Sequence, residues 1–164
     1  MRVRPFKVRK MISVSTFLKE NNSFVPIESD HLCIQDDDYI EGALVLCVDG
    51  EELIGLDCYD YIDELLSYII TGIDDLLDGK EFFTYFPDQP LGLKFSPKSA
   101  GYFLFELTSS KEHKKKLIET KGFVDAMFHA MDIFFTRLKK EIDPDECEFE
   151  LSRVEILKKK ADEL

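Results

Sequence analysis

Tryptophan is absent from the 164 residues, and histidine occurs three times. No apolar run approaches the roughly 18 residues of a membrane-spanning helix, which excludes a helical span from the expectations. No GxGxxG or GxxxxGK[ST] loop is present to cradle a phosphate, and no serine stands in a nucleophile elbow. The four cysteines, at 33, 47, 58 and 147, match neither a zinc pattern nor CxxC, so they read as reduced structural thiols. Between Glu28 and Asp88 there is a single cation, Lys80.

That segment carries eighteen Asp and Glu. The residues before it hold six Lys and Arg and one Glu, and those after it hold fourteen acids and fourteen bases. The formal charge of −12 is therefore concentrated in one stretch, and a segregated charge makes a local field. A pI near 4.7 argues against nucleic acid as a partner. The apolar fraction of 45% and fourteen Phe argue for a folded domain with a phenylalanine core. The basic N-terminus, MRVRPFKVRK, lacks the apolar stretch of a signal peptide, so a cytoplasmic location and no membrane partner are expected.

Strand signals begin at Met11–Thr16 and end at a turn, Asn21-Asn22-Ser23. Residues 41–48 and 51–56 flank Asp49-Gly50, which predicts a hairpin on a type I′ turn. Both faces of the 41–48 run are apolar, which places it centrally in a sheet. Residues 60–78 form the clearest helix: Ile62, Leu65, Leu66, Ile69, Ile73, Leu76 and Leu77 recur at helical spacing. Asp57 or Asp60 is its expected cap, and Gly79 its C′ glycine. Gly72 inside it implies close packing. Asp74, Asp75 and Asp78 oppose its dipole, an arrangement that a cation would relieve.

A meander follows, with strands at 81–86, 91–96 and 102–108 and a short one at 114–119. Residues 122–141 predict a second helix, stopped by Asp143-Pro144, and 147–164 a third with a charged end. The expected class is α+β: an antiparallel sheet of about five or six strands, two main helices packed on it, and a C-terminal helical extension. Residues 1–142 are expected as one domain, with 1–9 a basic segment, and 143–164 as the extension.

Candidate chemistry is sparse. Asp36-Asp37-Asp38 lacks the surroundings of an EF-hand and reads as a solvated loop. Asp57, Asp60, Asp63 and Glu64 suit capping and the first-turn dipole, although a metal-dependent hydrolase is an alternative use of such carboxylates. A nucleophilic Cys–His pair, for example Cys58 with His31, is a further use of these residue types. No cofactor, metal or catalytic residue is expected. Tyrosines interleave the acids, and tyrosine anchors with carboxylate steering are what an interface for a basic protein needs. The expected binding residues are Asp36, Asp37, Asp38, Asp57, Tyr59, Asp60, Tyr61, Asp63 and Glu64. Self-association, including a dimer, through an exposed sheet edge or aromatic surface is the alternative.

The order of elements across residues 41–140 and the turn in FFTYFPDQPLGLKF resemble a loose group of small acidic bacterial proteins, some of the immunity-protein type. The resemblance implies a non-enzymatic inhibitor of a basic toxin. It carries over no functional residue.

Overall fold

Seven apolar or small residues in the eight positions of Glu41–Val48 make it the centre of the first sheet. The computed structural model describes residues 11–164, so the basic segment at 1–9 lies outside the described residues. Strand β1 (Ile12–Glu20) pairs antiparallel with β3 (Glu41–Val48), from Ile12 opposite Val48 to Leu18 opposite Gly42. β2 (Ser23–Pro26) lies outside β1, and β4 (Glu51–Ile54) and the short β5 (Asp60–Tyr61) pair with the other side of β3. The Asp49-Gly50 turn has φ of 51° and 82°, the two positive values that a type I′ hairpin requires. β1 extends four residues past its expected end because Phe17 and Leu18 continue the ladder to Ala43 and Gly42.

The remaining strands build a second antiparallel sheet, a meander in chain order: β6 (Phe82–Tyr85), β7 (Gly92–Pro97), β8 (Tyr102–Thr108) and β9 (His113–Glu119). The class is thus α+β with a C-terminal helix, and the nine strands of the described residues divide between two sheets instead of forming the single sheet expected. The lysine run on β9 meets the first sheet, where Lys116 pairs with Glu51 at 3.2 Å and Lys114 donates to the Glu52 carbonyl at 3.4 Å.

Three α-helices complete the fold of the described residues. α1 (Ile62–Leu77) buries Ile62, Leu65, Leu66, Ile69, Ile73 and Leu76, as the spacing predicts. α2 (Thr120–Leu138) buries Val124, Met127, Phe128, Met131, Phe134, Phe135 and Leu138. α3 (Pro144–Ala161) begins three residues before its expected start. Asp143 is its N-cap, accepting from the Asp145 N–H at 3.0 Å, with Pro144 in the first turn. α2 ends at Leu138, ahead of the Asp-Pro pair, so that pair starts α3 rather than stopping α2.

The core is continuous across both sheets and all three helices. Phe95 is its aromatic hub, with ring centroids 5.4 Å from Phe82, 5.4 Å from Phe103 and 5.5 Å from Phe123. Cys147, Val154, Leu157 and Ala161 bring α3 into the same core. Lys160 of α3 also reaches the C-terminal end of α1, 2.6 Å from Asp74 and 2.5 Å from Asp78. The cation that the acidic helix end calls for is intramolecular.

A candidate tyrosine and carboxylate interface

The segment from Asp57 to Tyr61 leads out of a 3-10 turn into α1, and its centre is Asp60. Asp60 does not cap the helix, and neither does Asp57: the N-cap position is Tyr61 and no side chain serves it. Asp60 is instead buried, with 4% of its surface exposed. Its carboxylate accepts from the backbone N–H of Tyr61 at 2.7 Å, Asp88 at 3.1 Å and Gln89 at 2.8 Å. A buried carboxylate needs such donors, because desolvation without them is costly. The Gln89 side chain returns two bonds, donating to the carbonyls of Tyr59 at 2.5 Å and Asp57 at 3.3 Å. The Pro87–Pro90 turn is thereby clamped onto the start of α1, and Asp88 is brought beside Tyr61.

A hollow of about 350 Å³ results, lined by Glu41, Asp57, Tyr59, Asp60, Tyr61, Asp88 and Gln89. The Tyr61 phenol is pushed up in pKa, first by partial burial and then by the charges of Asp88 and Glu41. It stays protonated and able to donate across the physiological range. Tyr39, 59% exposed, lies with its ring centroid 5.3 Å from that of Tyr61. Phe24 of β2 stands 5.8 Å from Tyr59. Lys19 of β1 lies 4.9 Å over the Tyr59 ring and 3.4 Å from Glu41, so one cation is already seated here.

A second hollow of about 370 Å³ shares Glu41 and adds Lys19, Glu20, Cys33, Asp36 and Tyr39. Asp36 accepts from the Asp38 N–H at 2.9 Å, which makes the acidic run a turn. Asp37 and Asp38 are exposed on that turn and line neither hollow.

The expected residues therefore divide. Asp36, Asp57, Tyr59, Asp60 and Tyr61 come together around Glu41. Asp63 and Glu64 line a different hollow, between α1 and α3. There the Asp63 carboxyl is pushed up to about 6 by burial, with Glu64 and Glu146 adding to the shift. Lys19, Tyr39, Glu41, Asp88 and Gln89 are absent from the expected set. The β1–β3 and β3–β5 registers and the Asp60 clamp bring them in, and none of these is visible in local sequence.

The thiol and metal readings gain little support. Burial pushes the Cys58 thiol up, and Asp57, 3.8 Å from its sulfur, adds to the shift. That direction opposes activation of a nucleophile. Among the described residues, no three His, Cys, Asp or Glu side chains are grouped to hold a metal ion. No described helix is long and apolar enough to cross a membrane. No family model, curated protein or solved structure matches the chain.

Proposed function

We propose that the protein is a non-enzymatic binding module whose tyrosine and carboxylate face receives a basic protein, in the manner of an immunity or antitoxin-like inhibitor. The observation that supports this reading is the juxtaposition of Tyr59 and Tyr61 with Glu41, Asp57 and Asp88 around one hollow, with the Tyr39 ring against that of Tyr61. Tyrosine rings supply rigid contact area, and the carboxylates attract and orient a cationic surface. Lys19 over Tyr59 shows the kind of contact that a partner's lysine or arginine would repeat.

The test is capture from a lysate of the source cells at low salt, run side by side with the native chain and a Tyr39→Ala/Tyr61→Ala variant. The reading requires a basic protein that a salt step releases from the native chain and that the variant fails to hold. Equal recovery on both, or binding indifferent to salt, counts against it.

A second reading is self-association. Edge strand β6 presents Phe83 and Tyr85, 54% and 66% exposed, with ring centroids 5.0 Å apart. A mass by light scattering that rises with protein concentration supports it, and a strict monomer removes it.

A further inference from the structure

α3 has two apolar faces, and only one of them meets the rest of the chain. Cys147, Val154, Leu157 and Ala161 turn into the core. Phe149 and Ile156 turn the other way and are 63% and 66% exposed. They stand two helical turns apart, so they lie about 10 Å from each other on one outward stripe. Ser152, between them, is exposed as well. Phe149 is flanked by Arg153, whose guanidinium lies 5.9 Å from the ring centroid. That guanidinium is anchored in turn, 3.0 Å from Glu150 and 2.7 Å from the Thr71 hydroxyl.

Charge along the stripe is polarised. Asp145 and Glu148 lie towards its N-terminal end and Lys159 towards its C-terminal end, all three exposed. None of them forms an ion pair among the described residues, whereas Lys158 pairs with Asp132 and Lys160 with Asp74. The stripe is therefore complementary to itself run in the opposite direction, in charge as well as in shape.

We propose that this stripe is a contact between two copies of the chain, with α3 packed antiparallel on α3 about a two-fold axis that passes between Ser152 and Arg153. The axis sets Phe149 against Ile156 of the second copy, and Ile156 against its Phe149, as a self-complementary interface requires. Ser152 is the small side chain beside the axis, where two packed helices come within about 8–10 Å. Asp145 and Glu148 then lie within about 1.5–3 Å, measured along the helix, of the level of Lys159 in the second copy. A parallel pair would instead set Lys159 on Lys159 and Glu148 on Glu148, so the charges select the antiparallel arrangement. One stripe of one helix is a small contact, of the transient class that buries less than about 1,200 Å². The surface is neither the tyrosine face nor the β6 edge, and the proposal rests on neither reading.

The experiment is sedimentation of the full chain over a range of concentrations up to about 500 μM, in about 0.15 M salt, where screening over about 8 Å limits the repulsion between two acidic chains. The expected result is a mass that rises reversibly from 19.0 kDa towards twice that value. Half-dimerisation should fall in roughly the ten- to hundred-micromolar range, in keeping with so small an interface. Ile156→Glu changes an exposed position, so the melting curve of the dilute protein should be unaltered. Dimerisation should weaken at least about tenfold, because the new carboxylate must desolvate against Phe149 of the second copy.

Charge reversal tests the direction of packing. Glu148→Lys and Lys159→Glu should each weaken the dimer about threefold, and both changes in one chain should recover most of that loss. Tyr85→Asp on the β6 edge should leave the dimer as it was. A strict monomer at the highest concentration, a dimer that survives Ile156→Glu or disappears with Tyr85→Asp, or reversals that fail to compensate each other overturns the proposal.

Discussion

Asp63 holds a proton more tightly than an ordinary aspartate, and the consequence for stability has a definite sign. Its pKa rises from 3.8 to about 6, chiefly through burial. The folded chain therefore takes up this proton at a higher pH than the unfolded chain does. The resulting stabilisation is full below about pH 4 and is lost as pH rises through about 6. At pH 7 the charged carboxylate costs about 1 kcal/mol, once solvent screening of a partly exposed group is allowed for. Asp63→Asn should therefore raise stability by about that amount at pH 7 and leave it unchanged near pH 4, as urea melts at the two pH values will show. Cys147, beside it, is pushed up to about 11 by burial, with Glu146 next in weight, which accounts for an inert structural thiol.

At the scale of elements, glycine in a helix marks where another element comes too close for a side chain. A Cβ on Gly72 would stand 2.6 Å from two ring atoms of Phe82, which is itself buried. Alanine gains about 1 kcal/mol of helix propensity at such a position, but overpacking against a buried ring costs about 1–3 kcal/mol. Gly72→Ala should then destabilise by about 1 kcal/mol, read as a lower urea midpoint with an unchanged slope. Sequence made this contact visible as a position and left its partner unnamed, because Phe82 meets α1 only once the chain has reversed through Gly79, whose φ is 72°. The same holds for Asp74 and Asp78: their misfit with the helix dipole is written locally, whereas Lys160, which answers it, lies more than eighty residues away.

Across the whole molecule, local periodicity was a good guide and long-range pairing was not. The Asp49-Gly50 hairpin, the faces of α1 and α2, and the meander all follow from short-range pattern. The division into two sheets does not, since nothing in residues 55–81 says which sheet a strand will join. The candidate interface was legible in the same measure. The Asp57–Tyr61 segment was visible as acids interleaved with tyrosines, while Asp63 and Glu64, only two and three residues beyond Tyr61, turn away once the helix begins. Charge at this scale is partly internal: Lys116 pairs with Glu51, Lys114 lies 3.6 Å from Glu112, and Lys115 lies 3.8 Å from Glu106. These basic residues are committed to the protein's own acids, whereas the hollow at Glu41 and Asp88 is lined by carboxylates and no Lys or Arg.

The clamp at Asp60 also acts as a reporter. Amides in a short surface turn ordinarily exchange with solvent deuterium almost as fast as in a free peptide. Those of Asp88 and Gln89, the two N–H groups between Pro87 and Pro90, are held by a buried carboxylate, so they should exchange far more slowly than free-peptide amides. In an Asp60→Asn chain the protection should fall, since a neutral acceptor holds the two N–H groups less firmly. Two amides in an unstructured-looking turn thus keep time for the opening of the face that Tyr61 belongs to, and a bound partner would slow them further without touching either one.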